Sequence, residues 1–152
     1  MIRLLLLTGT LSLALFTAHA ADLAFPSAEG FGALATGGRD GEIFHVTNLD
    51  DSGPGSFRDA VSKPHRFVVF DVAGVIRLKA NVAVASHITL AGHSAPGDGI
   101  ALYGKSVSFS GSSNVIVRYL RFRQGISGNR GKCSVNLSSG SDMIFDHCSI
   151  EW

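Results

Sequence analysis

The chain has 152 residues, of which 18 are glycine, 45% are hydrophobic and 16% are charged, with 13 Lys and Arg against 12 Asp and Glu. A total so close to neutrality excludes bulk electrostatic capture of nucleic acid or of an anionic membrane. Abundant glycine and sparse charge also count against long amphipathic helices, and favour a turn-rich all-β chain of no more than one domain.

Residues 1–20 read as a secretory signal rather than as part of the fold. Arg3 supplies the positive start, Leu4 to Phe16 is uncharged, and Ala18-His19-Ala20 has the small-x-small pattern that signal peptidase reads, so cleavage after Ala20 is expected. The apolar run is shorter than the roughly 20 residues that span a bilayer, and no later segment competes with it. The mature product, residues 21–152, is therefore expected to be secreted or periplasmic. With Arg3 gone, twelve basic residues face twelve acidic ones. Arg118, Arg121, Arg123, Arg130 and Lys132 form a local basic stretch within that neutral total.

"GEIFHVTNL" and "HRFVVFDVAGVIRL" then read as strands, with Gly74 as a turn or bulge inside the second. Between them lies "DSGPGSFRDAVS", where Ser56 followed by Asp59 resembles a capping box and predicts a short helix over Phe57 to Ser62.

The rest of the chain repeats. Laying "SVSFSGSSNVIVRYLRFR" from Ser106 over "SVNLSSGSDMIFDHCSIE" from Ser134 gives a gapless register at an offset of 28. Apolar positions coincide: Val107 with Val135, Phe109 with Leu137, Val115 with Met143, Leu120 with Cys148, Phe122 with Ile150. A fainter copy, "NVAVASHITLAG" from Asn81, lies 27 residues earlier. Short β-type runs at a period in the twenties, separated by Gly, Ser and Asn, predict a parallel β-solenoid with one coil per repeat. The Phe57 helix suits the task of covering its first coil.

In that register Arg118 lies over Asp146, Arg123 over Glu151, and Tyr119 over His147. Asp146 and His147 thus have a structural reading, as a rung ion pair and a hydrogen-bonded corner, beside a reading as catalytic groups. With Cys148 they make a poor zinc set, because successive strand residues point to opposite faces. Cys133 and Cys148 fall on different faces of one coil, too far apart for a disulfide, and free thiols are expected. Cys148 is expected to be buried and inward, and no histidine is placed to activate Cys133.

Several stretches together resemble the pectate lyase family of right-handed parallel β-helices: "AFPSAEGFGALATGGRDGEIFHVTNLDDSGPGSFRDAV", "HITLAGHSAPGDGI", "NVIVRYLRFR" and "MIFDHCSIEW", in that order from about Ala24 to Trp152. The resemblance implies cleavage of pectate (polygalacturonate) by β-elimination, with calcium stabilising the uronate carboxylate as charge builds and an arginine removing the proton alpha to it. It also implies that the catalytic residues and most calcium carboxylates belong to coils beyond Trp152, and that this chain is the amino-terminal part of a longer, truncated β-helix, inactive alone. The calcium aspartate expected before the Asp-His strand falls at or near Cys133, where "GKCSVNL" has no carboxylate. Outward Arg118, Arg121 and Arg123 would suit an acidic polysaccharide. They would do so equally in a non-catalytic β-helix that binds or displays on cell-wall polysaccharide, the alternative reading. Neither reading involves a nucleic acid or membrane partner.

Overall fold

The structure, a computed structural model, describes residues 22–128 and 131–151. The leader with its cleavage position, Arg130 and Trp152 lie outside the described residues. Among the described residues no helix is long and apolar enough to cross a membrane.

In chain order the elements are β1 (Glu42–Val46), α1 (Phe57–Val61), β2 (Arg66–Phe70), β3 (Gly74–Arg77), β4 (Val82–Ala83), β5 (Ile88–Ala91), β6 (Ile100–Tyr103), β7 (Val107–Ser108), β8 (Ser113–Arg118), β9 (Leu120–Arg123), β10 (Val135–Asn136), β11 (Ser141–Asp146) and β12 (Ser149–Glu151). Every pairing is parallel. The strands form three sheets, β1-β2-β5-β8-β11, β3-β6-β9-β12 and β4-β7-β10, which each coil visits in the same order. This is the expected parallel β-helix.

Stacking like over like builds the core. Val68, Leu90, Val117 and Phe145 align in the first sheet. Ile76, Leu102, Phe122 and Ile150 align in the second. All of these but Phe145 and Ile150, on the last described rung, are essentially inaccessible to water. Full burial of each such side chain contributes about 1.5–3 kcal/mol. On that last rung Cys148 is half-buried and Ile150 is 51% exposed, which corrects the expectation of a buried thiol.

The 28-residue offset holds between β8 and β11, β9 and β12, and β7 and β10. A uniform pitch does not extend upstream. Ile88 pairs with Val115 at an offset of 27, but Val82 pairs with Val107 at 25 and Ile100 with Leu120 at 20. The turn from β4 to β5 is two residues shorter than its successors, and residues 92–99 add a loop between β5 and β6 that the next coil replaces with the single residue Tyr119. The strands keep register while the turns absorb the difference.

α1 covers the first coil as predicted. Ser56 Oγ accepts from the Asp59 backbone N–H, Phe57, Ala60 and Val61 are buried, and the Phe57 ring stacks on Phe70. Ser56 N–H bonds instead to Gly53 O, so only one half of the capping box forms. Arg66 sits buried behind the helix and donates to the Asp59 and Ala60 carbonyls, placing a cation at the negative helix end. Arg58 holds the other side, donating to the Asp51 carboxylate and to the Ala80 and Asn81 carbonyls.

The coil repeat does not extend to the segment before β1. Residues 22–40 run as a strap across the outer face of the first sheet. Phe25, Ala28 and Ala35 bury Ile116 beneath them in a second small core. The strap lies so close that a β-carbon at Gly32 would overlap the Met143 carbonyl, and one at Gly38 the Arg66 carbonyl. Thr89 Oγ1 accepts from Gly38 N–H at 3.0 Å, and Asn114 Oδ1 accepts from the N–H groups of Thr36 and Gly37 at 2.7 and 3.0 Å.

Asn114 belongs to a corner at which His65, His87, Asn114 and Asp142 all adopt positive φ, between 50 and 58°. A left-handed residue costs roughly 1–2 kcal/mol, but it turns the chain sharply into the first sheet at the same point in each coil. Ring stacking of His65 on His87 at 4.6 Å and the Asn114 Nδ2 bond to His87 Nδ1 at 2.9 Å offset part of it. Asn114→Ala is therefore expected to destabilise by about 2–3 kcal/mol, through lost hydrogen bonds in a retained left-handed turn. Asn114→Gly should cost about 1 kcal/mol less, because glycine relieves the turn. Urea unfolding midpoints at unchanged m-value measure both.

Candidate functional site

Asp146, at the end of β11, is fully engaged. Its Oδ2 accepts from Arg118 Nε at 2.7 Å and its Oδ1 meets His147 Nδ1 at 2.8 Å. Arg118 in turn places its guanidinium 4.0 Å from the Phe25 ring centroid, beneath the strap. Burial tends to raise the Asp146 carboxyl, but hydrogen bonds and charge from Arg118 and His147 outweigh it and hold the group below the ordinary carboxylate range. A carboxylate so held accepts protons poorly, which suits an anchor rather than a base.

His147 adopts φ 51° next to Tyr119 at φ 56° on the adjoining coil, and the two rings stack at 4.6 Å. This is a second left-handed corner, between the first and second sheets, at the position expected from the repeat. Because Asp146 is ionised, His147 Nδ1 carries the proton and donates, which leaves Nε2 as an acceptor in the neutral ring. The His147 side chain is 60% exposed.

The three arginines do not form one open rung. Arg118 is on the first sheet, paired with Asp146 and roofed by Phe25. Arg123, on β9, pairs with Glu151 at 3.2 Å and donates to Ser149 Oγ at 2.7 Å and Ser149 O at 3.0 Å. Arg121, between them in sequence, makes one hydrogen bond among the described residues, to the Asp98 carbonyl, and faces a cleft of about 410 Å³. Gly92, His93, Asp98, Tyr119, Arg121 and His147 line that cleft, with His93 edge-on to Tyr119 at 5.6 Å. Of these, His93 and Asp98 were not singled out in the sequence. They arrive by the 92–99 loop, whose path no periodicity encodes.

Both thiols are free, as expected. Burial pushes the Cys148 thiol up, so it stays protonated at neutral pH and acts as a packing group. Cys133 is exposed, and its carbonyl accepts from Ser106 Oγ. Calcium takes six to eight oxygen ligands, mainly carboxylates and carbonyls. The Cys133 thiol is no such ligand, its neighbour is Lys132, and among the described residues no group of three or more acidic, His or Cys side chains could hold a metal. The described residues around Cys133 do not fit calcium.

Asp146→Asn is expected to destabilise by about 1–3 kcal/mol at pH 7 by weakening a charge-assisted pair. The folded Asp146 carboxyl lies below its unfolded value of about 3.9. Its contribution is therefore complete above that value and disappears as pH falls through the folded one. Chemical unfolding from pH 7 to pH 2 should show the gap between wild type and variant closing only at the acid end.

No protein-family model matches the chain. It is 52% identical over 146 residues, 96% of its length, to the protein named "Probable pectate lyase C" from Aspergillus flavus, of which it covers 34%. It is 55% identical over 130 residues to the protein of the same name from Aspergillus terreus, covering 86% of this chain and 31% of that one. Among solved structures it is similar to jun a 1, the major allergen from cedar pollen, at 30% identity and a TM-score of 0.50, over 62% of this chain and 28% of the other. The chain spans about a third of the length of the curated relatives it matches. Coil register and sequence identity thus converge: this chain is a parallel β-helix that is similar, along nearly its whole length, to about a third of the length of proteins named pectate lyase.

Proposed function

We propose that the chain serves in a secreted polysaccharide lyase that cleaves pectate by β-elimination, as the stacked base on which the reacting coils are built. The observation that carries the reading is the identity of more than half the residues to proteins named pectate lyase along nearly the whole chain. The leader expected at residues 1–20 supports export.

Elimination requires a base at the proton alpha to the uronate carboxylate and positive charge to hold that carboxylate as it becomes electron-rich. Within the described residues Asp146 is tied to Arg118, and Arg123 to Glu151. The base and the calcium carboxylates are accordingly assigned to residues other than these. The role of the present coils is to position: strap, capping helix and corner ladders fix the rungs against which further coils can stack. The exposed Cys133, in place of a family carboxylate, is the one feature that favours the alternative of a non-catalytic β-helix binding cell-wall polysaccharide.

A lyase containing these coils is expected to release unsaturated oligogalacturonate from polygalacturonate, read as ultraviolet absorbance, and to lose that activity with a calcium chelator. The 152-residue chain alone is expected to release none. Absence of product from the longer protein on every uronate polymer would leave only the binding alternative.

A further inference from the structure

Three arginines from adjoining positions carry very different loads, and Arg121 is the exception. Arg118 and Arg123 are each neutralised by a carboxylate. Among the described residues no carboxylate lies within ion-pair reach of Arg121, and its single hydrogen bond to the Asp98 carbonyl leaves most of its donor fork unused. A half-exposed guanidinium held from behind and directed at a cleft is poised for a planar anion, because its parallel N–H groups match the two oxygens of a carboxylate.

The surroundings narrow the class of anion. The cleft's roughly 410 Å³ falls within the usual range for small-ligand sites, about 300–1,000 Å³. Its walls do not carry the further cations that a phosphate or sulfate site collects. Instead they offer an exposed Asp98, the acceptor Nε2 of His147, and the ring surfaces of Tyr119 and His147. Asp98 and Nε2 accept from hydroxyls, and the exposed edge of the His147 ring adds an apolar contact for the C–H groups of a sugar. One cation, two hydroxyl acceptors and an aromatic surface together fit a sugar bearing one carboxylate.

We propose that the corner cleft around Arg121 is a binding subsite for one uronate residue of an acidic polysaccharide, with Arg121 on its carboxylate and Asp98 and His147 on its hydroxyls. The inference takes its sugar class from the lyase reading above, while the unpaired guanidinium is independent of it. The cleft opens at the corner between the first and second sheets, whereas Cys133 precedes β10 on the third.

The test is titration of the full 152-residue chain with a galacturonate trimer, a neutral galactose trimer and inorganic phosphate, followed by calorimetry and by histidine and tyrosine ring resonances. The uronate trimer is expected to shift the rings of His93, Tyr119 and His147. Arg121→Gln, which keeps a donor for the Asp98 carbonyl, should weaken it about tenfold or more, with unchanged thermal unfolding. Arg123→Gln, removing a cation already paired, should stay within about twofold. Undiminished affinity in Arg121→Gln, or equal binding of the neutral trimer or of phosphate, overturns the proposal. In a product-forming lyase, Arg121→Gln should raise KM at constant kcat. Product formation with unchanged KM would sink the subsite and spare the lyase reading, and Arg121-dependent uronate binding without any product would do the reverse.

Discussion

Parallel hydrogen bonding between consecutive coils is the constraint on which everything else in this molecule depends. Once Val115 is bonded beside Met143 and Phe122 beside Ile150, every side chain inherits the facing of the one beneath it. Apolar columns then fill the interior, while arginines meet carboxylates and rings meet rings at the rim. Contacts that look like separate features, such as Arg118 with Asp146 or Tyr119 with His147, are the same displacement read at different points around one turn.

The constraint also explains what could be read from the residues alone. From Ser106 onward the turns between strands have equal length, so the coils superimpose in sequence as they do in space, and both rung ion pairs and the histidine stack are legible. Before that, the shorter turn after β4 and the loop at residues 92–99 break the numerical period without disturbing the ladder. A spacing argument sees insertions; hydrogen bonds do not. The strap was illegible for a different cause. Its glycines answer to carbonyls some 28 to 111 positions away, and nothing near Gly32 or Gly38 announces that demand.

The candidate site shows the same division. Asp146 and His147 stand out in the sequence, yet the structure uses Asp146 to fasten Arg118 and His147 to finish a corner. Arg121 looks like its neighbours Arg118 and Arg123 on paper. It differs because the rung beneath offers it Ser149 instead of an acid, and because the overhanging loop brings a carbonyl, rather than a carboxylate, within reach. Chemical capacity resides in the residue the ladder leaves uncompensated.

The strap carries a consequence for how such a protein can grow. Between Gly32 on β11 and Gly38 on β2, seven residues measure off three steps of the coil, a span of roughly 14 Å. It works as a ruler laid along the cylinder. Duplication or loss of a coil within that interval would leave the ruler too short or slack, so lineages built on this frame are free to lengthen their side loops here but must change their coil number elsewhere.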